Sequence, residues 1–559
     1  RHTRYWRDWS SDVCSSDLTN LETLLSLGLS YKACKLNQKA LATYDNALLI
    51  EPRFVKALIN KGCLLYEMKE YQNAIDVFDN AIRIDPKSAE AHNNLGLILY
   101  ELKRYEESLR SYDNAIAINP NYAEVFNNRG STLKELKLIE EAIKSFNRAV
   151  ELKVDYAEAY SNLGITFKEL KKYEEALINF TKAFELKPEL EYLEGLYLHT
   201  KMEICDWKNY QISVNHILSS INAEKRCTES FPILALIDAP LIHKKITEIN
   251  VNSKYQSNRN FEINPIKKTK DKITLGYYSS DFREHPVSYL TAELFELHDK
   301  SKFELIAFYS GQPDPSQIHI RISSSFSKFI NISHLSDKEV AELSREIGVD
   351  IAIDLTGLTQ NNRVGVFSYR AAPIQLSYVG YLGTMGAVYY DYLIADKTII
   401  PESSQHYYNE KIIYLRSYQV NDSKRNISEK VFTRTELNLP EDAFVFCCFN
   451  NNFKITPSTF DGWMKILHAV PNSVLYLYAE NNVVHVNLKK EALRRGIAEN
   501  RLIFGARIER SEYLARYKSA DLFLDTFPYN AGTTASDALW SGLPVLTCMG
   551  ESFASRVAA

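Results

Sequence analysis

AEAHNNLGLILYELKRYEESLRSYDNAIAINPNY, residues 89–122, is one copy of a 34-residue pattern that runs five times, back to back, over residues 21–190. Glycine recurs at Gly28, Gly62, Gly96, Gly130 and Gly164. An aromatic ring recurs at Tyr44, Phe78, Tyr112, Phe146 and Phe180, and alanine at Ala47, Ala81, Ala115, Ala149 and Ala183. The spacing predicts two antiparallel helices per copy. Glycine lets them approach, alanine and the ring fill the layer between them, and Pro52, Pro86, Pro120 and Pro188 close the second helix, with Val154 in that column once. One copy cannot bury its apolar face alone, so the copies are expected to stack into a superhelix with a concave surface.

This is the tetratricopeptide signature. Asn60, Asn94, Asn128 and Asn162 hold the same position in four copies, where the first copy has Ser26. Amides in register predict a binding face for an acceptor polypeptide, gripped by paired hydrogen bonds to its main chain. An inert spacer is the competing reading. Repeats of this kind also leave homo-oligomerisation as an expectation.

The 559 residues allow three or four domains, and 45% apolar with 24% charged residues is an ordinary globular balance. A formal net charge of −4 and no dense basic run argue against a nucleic-acid partner. No apolar run is long enough to cross a bilayer and the start has no signal-peptide core, so the expected compartment is the cytoplasm and no membrane partner is expected. Eight scattered cysteines fit reduced, buried side chains, and no spacing of His, Cys, Asp or Glu suggests a metal. Residues 1–18, RHTRYWRDWSSDVCSSDL, break the pattern and resemble translated adapter sequence. The last residues, SFASRVAA, read as the inside of an unfinished helix. The chain is therefore expected to be a fragment at both ends, with an incomplete second lobe.

Residues 191–271 lose the register and keep helical spacing, as a connector. From Lys272 the grammar changes. Apolar runs ITLGYYS, FELIAFYS, DIAIDLT, IQLSYVGY, FVFCCFN, SVLYLYA, RLIFGA and ADLFLDT alternate with helical stretches, which implies parallel sheets covered on both faces. The polar segment NDSKRNISEK, near residues 421–431, divides them into a lobe over 272–425 and a lobe over 426–559. The fold class is thus α + α/β, a tetratricopeptide α-solenoid followed by two doubly wound, Rossmann-like lobes. Ligands of such sheets sit at the carboxyl ends of the strands.

Residues 524–545, LDTFPYNAGTTASDALWSGLPV, carry the most local chemistry. A strand ends at Asp525, a loop follows, and a helix begins near Thr534. Its backbone amides, with the hydroxyls of Thr533 and Thr534, suit a diphosphate. Asp537, one turn in, suits the hydroxyl pair of a ribose. A plain helix cap is the competing reading. Lys454, in the loop NNNFKITPS past the strand FVFCCF, would be a point charge on phosphate.

Residues 21–559 resemble the O-linked N-acetylglucosamine transferase family, which includes bacterial members and the plant SPINDLY proteins. The carrying stretches are YSSDFREHPVSYL, DLTGLTQNNR, RAAPIQLSYVGYLGTMG, DYLIAD, FNNNFKITPSTFDGWMKIL, VPNSVLYLY and the run from LDTFPYNAGTT to the end. The resemblance implies a two-lobed glycosyltransferase of the GT-B fold. It places Lys454 on the diphosphate, Thr533 and Thr534 on the phosphates, Asp537 on the ribose, Arg516 at the base and His285 facing sugar and acceptor. Asn451, Arg510 and Tyr513 stand where the family has a glutamine, a lysine and a base-stacking histidine. Leu358 and Gly532 replace histidines usual in the family.

The implied activity is inverting, metal-independent transfer of N-acetylglucosamine from UDP-N-acetylglucosamine to Ser/Thr of polypeptides, with Lys454 stabilising the leaving group and His285 as the acceptor-side catalytic candidate. No cofactor is expected. A SPINDLY-like O-fucosyltransferase using GDP-fucose, and a repeat scaffold with a degenerate transferase, are the alternatives.

Overall fold

The glycine and aromatic columns meet inside each repeat. A Cβ on Gly28 would lie 2.3 Å from the Tyr44 ring, and one on Gly62 2.6 Å from Phe78, so only glycine allows the two helices this contact. In a computed structural model, which describes residues 20–257 and 271–559, the first four repeats form the helix pairs Leu21–Ala33 with Asn37–Ile50, Val55–Glu67 with Tyr71–Ile84, Ala89–Glu101 with Tyr105–Ile118, and Ala123–Glu135 with Ile139–Leu152, and the fifth supplies the helices Ala157–Glu169 and Tyr173–Leu186. Tyr44, Phe78, Tyr112, Phe146 and Phe180 are all buried. Two residues past the end of each first helix stands a lysine with positive φ, from Lys35 (59°) to Lys171 (58°). Val154, in the proline column, is 71% exposed.

Two compact units make up the chain, one ending at Thr166 and the other beginning at Phe167. In the second unit, helices Leu193–Glu203, Tyr210–Asn222, Ser230–Ile233 and Pro240–Lys254 occupy the connector. The expectation for residues 1–18 lies outside the described residues, as does the end of the connector.

Seven parallel strands then form one sheet: β1 (Ile273–Ser279), β2 (Phe303–Tyr309), β3 (Lys328–Asn331), β4 (Ile351–Asp354), β5 (Ile374–Ser377), β6 (Tyr392–Ala395) and β7 (Lys411–Tyr414), in the order β3-β2-β1-β4-β5-β6-β7. Five more form a second: β8 (Phe444–Cys448), β9 (Ser473–Tyr478), β10 (Leu502–Gly505), β11 (Leu522–Leu524) and β12 (Val545–Leu546), in the order β10-β9-β8-β11-β12. Every pairing is parallel, as in Tyr277 opposite Ala307 and Ile353. In both sheets the strand order reverses beside the first strand, which opens a crevice between β1 and β4 and between β8 and β11. The central strands are buried on both faces, so they read as unbroken apolar runs. No helix among the described residues is long and apolar enough to cross a membrane.

The end of the chain differs from its sequence reading. Residues 551–558 form turns, not α-helix. Asp238 accepts the N–H groups of Glu551 and Ser552, both at 2.8 Å, and the Ser552 and Ser555 side chains close the turn. Local side-chain acceptors of this kind compete with helical bonding.

Candidate donor site at the second crevice

Lys454 sits where β8 gives way to a helix. A short 3-10 turn, Asn452–Lys454, leads into helix Pro457–Ala469, which Pro457 opens and the Thr456 hydroxyl caps by accepting from Thr459 N at 3.1 Å. The Lys454 ammonium donates to the carbonyl of Asn530 at 3.0 Å and lies 3.7 Å over the Tyr529 ring. Burial pushes its pKa down to about 8, against the pull of Asp525. An ammonium destabilised by desolvation gains most from an added anion. Asn451 is exposed, its carbonyl taken by Lys454 N at 3.0 Å, and its side chain lines a cavity with Lys171, Tyr173, Glu203, Tyr478 and Glu480.

The loop after β11 is held by a buried carboxylate. Asp525 accepts from Thr526 N (2.7 Å), Ala531 N (2.8 Å), Asn450 Nδ2 (3.2 Å) and Thr547 Oγ1 (2.7 Å). Asn450 also donates to Thr526 Oγ1 at 2.8 Å and accepts from the Thr534 hydroxyl, so one buried amide joins the two loops. The helix Thr533–Trp540 starts at Gly532 with no side-chain cap, and a Cβ added at Gly532 would meet nothing within 4 Å. The helix start is thus free of any side-chain cap, with Thr533 its first residue. An uncapped helix start has unsatisfied N–H groups of the kind that suit an anion, and Lys454 is bonded to the same loop two residues earlier.

The nucleoside candidates follow one turn along. Asp537, only 1% exposed, accepts from Arg510 Nη1 and Nη2 at 2.9 and 2.6 Å and from Arg425 Nη1 at 2.9 Å. Its carboxylate is thus under two guanidiniums, where the sequence reading had placed a ribose. Arg510, at the start of helix Arg510–Arg516, lies 4.6 Å over the Tyr289 ring and 5.3 Å over Tyr513. Tyr513 shares a 2.6 Å hydroxyl contact with Tyr517. Arg516 is buried, donates to Ala506 O at 2.8 Å, and packs 4.4 Å over Phe449 and 5.4 Å over Tyr513. Its Nε and Nη2 are buried without a hydrogen-bond partner among the described residues.

His285 caps the first-lobe helix Pro286–Leu297. Its Nδ1 accepts from Val287 N at 3.4 Å and stands 3.8 Å from Asp281 Oδ2. Burial lowers its pKa against the pull of Asp281, which favours the neutral ring. In the capping tautomer the proton is on Nε2, which then donates; taking a proton at Nε2 requires Nδ1–H to turn to Asp281. One turn along the same helix, Tyr289 touches Arg510, which ties this histidine to the donor side. Leu358 packs against the first-lobe core.

A family model described as glycosyl transferase family 41 matches residues 204–431 and 419–559. The chain belongs to this family. Tetratricopeptide repeat models match residues 62–137 and 122–189. Among curated relatives, the probable UDP-N-acetylglucosamine–peptide N-acetylglucosaminyltransferase SEC of Arabidopsis thaliana is 35% identical over 293 residues, 51% of this chain and 30% of that protein. The UDP-N-acetylglucosamine–peptide N-acetylglucosaminyltransferase of Caenorhabditis elegans is 26% identical over 483 residues, 64% of this chain and 42% of that one. A SPINDLY protein of rice is 31% identical over 294 residues, 51% and 31% of the two chains. The chain thus spans less than half the length of the curated relatives it matches. A mutant of Thermobaculum terrenum O-GlcNAc transferase shares the fold, with a TM-score of 0.53, 24% identity, and 90% of this chain and 84% of that chain covered. The GT-B reading of the two family 41 lobes agrees with that likeness.

The asparagines of this family 41 chain are placed differently from their sequence reading. All four are partly buried, and each Nδ2 makes one hydrogen bond: Asn60 to its own Lys56 carbonyl at 2.9 Å, Asn94 to Cys63 Sγ at 3.4 Å, Asn128 to Asn93 Oδ1 at 3.1 Å and Asn162 to Asn127 Oδ1 at 2.9 Å. The last two form a ladder between repeats. A paired amide grip on a peptide is therefore half spent within the array. Arg425, Asn450, Tyr289 and Tyr529 touch Asp537, Thr534, Arg510 and Lys454 respectively, and the sequence reading named none of the four. Among the described residues no group of three or more His, Cys, Asp or Glu is arranged to hold a metal.

Proposed function

We propose that the chain is a protein O-glycosyltransferase that moves N-acetylglucosamine from UDP-N-acetylglucosamine to a Ser or Thr hydroxyl, with inversion and without a divalent ion. The observation that carries this reading is the meeting of the Lys454 ammonium and the uncapped start of helix Thr533–Trp540 on one loop, residues 529–534. Transfer breaks the bond between the anomeric carbon and the diphosphate, and charge grows on the leaving oxygen. A fixed cation and preorganised backbone N–H groups stabilise that charge directly, the electrostatic work a metal ion does elsewhere. Attack by a hydroxyl on the face opposite the diphosphate inverts the anomeric centre. Arg510, Tyr513, Arg516 and Asp537 stand where a nucleoside would be held, and His285 orients or deprotonates the acceptor.

The names of the Arabidopsis and Caenorhabditis relatives support the same donor and a peptide acceptor. The repeats would present the polypeptide through the remaining acceptor face of their asparagine column. The test is transfer from UDP-N-acetylglucosamine to a polypeptide in excess EDTA, read as labelled protein and UDP released in equal amounts. Transfer that survives chelation is the expected result. Transfer restored only by added divalent ion contradicts the metal-free mechanism, and transfer from GDP-fucose alone contradicts the donor.

A further inference from the structure

Residues 421–425, NDSKR, cross from one lobe to the other as a strap fastened on both sides. Toward the first lobe, Asp422 accepts from Arg321 Nη1 at 2.6 Å and Nη2 at 3.0 Å, Ser423 donates to Glu293 through N (2.7 Å) and Oγ (2.6 Å), and Lys424 reaches Glu296 at 2.7 Å. Toward the second lobe, everything converges on helix Thr533–Trp540. Arg425 Nη1 donates to Asp537 Oδ1 at 2.9 Å and to Ser536 Oγ at 3.2 Å, its guanidinium lies 4.9 Å over the Trp540 ring, and the Trp540 indole N–H donates back to Arg425 O at 3.3 Å. Ser536 in turn donates to Asn421.

Asp537 now holds three N–H groups and is 1% exposed. A carboxylate has about four acceptor positions, so a ribose diol cannot be received in full until one guanidinium gives way. The two arginines differ in what holds them. Among the described residues the Arg510 side chain, 27% exposed, hydrogen-bonds only to Asp537 and otherwise rests on the Tyr289 and Tyr513 rings. Arg425, at 5%, is pinned by Ser536, Trp540 and the strap. Arg510 is the exchangeable partner and Arg425 the fixed one.

We propose that Arg425 is a positioning residue of the donor site: it keeps Asp537 paired and oriented while Arg510 turns from the carboxylate to the nucleotide, and through the Asp422–Arg321 contact it makes nucleotide affinity depend on the first lobe. This rests on the reading that Asp537 meets the ribose. Without Arg425 the exchange would strand a buried carboxylate, which is costly.

The test is calorimetric titration of the full chain with UDP and with 2′-deoxy-UDP, in the wild type, Arg425→Met, Arg425→Lys and Asp422→Asn. Arg425→Met is expected to weaken UDP by about 10- to 100-fold, the cost of losing a charged hydrogen bond, and 2′-deoxy-UDP by a clearly smaller factor. Arg425→Lys should recover part of the loss. Asp422→Asn, which touches neither Asp537 nor nucleotide, should weaken UDP in the same direction by less. Equal losses for both nucleotides, or none, in Arg425→Met would overturn the proposal. If that variant does not fold, a wild-type ratio of the two affinities in both Arg425→Lys and Asp422→Asn overturns it instead. A wild type that binds no UDP overturns the nucleotide reading, and this proposal with it.

Discussion

The two lobes share a strand order at their centres, yet they treat a helix start at the crevice in opposite ways. After β1, His285 turns its own ring onto Val287 N, so the first lobe spends an N–H inside the fold. After β11, Gly532 offers no side chain, the helix Thr533–Trp540 begins uncapped, and Lys454 is bonded to the loop just before it. A capped start stabilises a helix; an open start beside a cation is kept for a ligand. The same backbone plan thus gives one lobe a histidine-capped helix start and the other an uncapped one beside a lysine.

The largest expected effect comes from removing the cation. Lys454→Ala should cut turnover by about 10²- to 10³-fold with the fold intact, measured as initial transfer rate alongside thermal unfolding. The same lysine sets a pH dependence. Its pKa is depressed to about 8, so the charged form fades as pH rises through that value, and wild-type UDP affinity should fall there. Lys454→Ala should show no such fall; an identical profile in both proteins would assign the titration to another group.

Closing the open start should have a smaller effect. Gly532→Asp places a carboxylate where a Cβ meets nothing within 4 Å, so the fold should hold while like-charge repulsion weakens UDP by about tenfold or more. Undiminished UDP affinity in that variant would mean the phosphates do not sit at this helix. The smallest effect on nucleotide is expected from the capped start. His285→Ala should cost about 1 kcal/mol of stability, as a lost cap does, and leave UDP affinity alone. A large loss of UDP affinity there would erase the contrast between the lobes.

How much of this was legible in the sequence depends on where the signal lies. The repeats were readable because a 34-residue period recurs in every copy, and it places glycine against an aromatic ring in the first four. β1, β2, β4, β5, β8, β9, β10 and β11 were visible as apolar runs, since strands buried on both faces need no alternation. β3, β7 and β12 were not, being short strands at sheet edges with exposed or half-exposed residues, and four-residue β6 lies next to β7. In the site, Lys454, Thr533, Thr534 and Asp537 follow from strand-to-helix grammar, which is local. Arg425 does not. It lies in NDSKRNISEK, which reads as a polar break, and its partner Asp537 is 112 residues away, so only the fold reveals the pair. The asparagine column was legible as a period, but the bonds by which Asn128 and Asn162 join neighbouring repeats were not, since each spans 35 residues.

The claim on which the account turns is that the second crevice binds a diphosphate with protein groups alone. The direct measurement is the affinity of UDP against that of uridine, titrated in EDTA, for the wild type and for Lys454→Ala. The account predicts a strong preference for UDP in the wild type and its collapse in the variant. A preference that appears only when divalent ion is added, or that persists unchanged without Lys454, would contradict it.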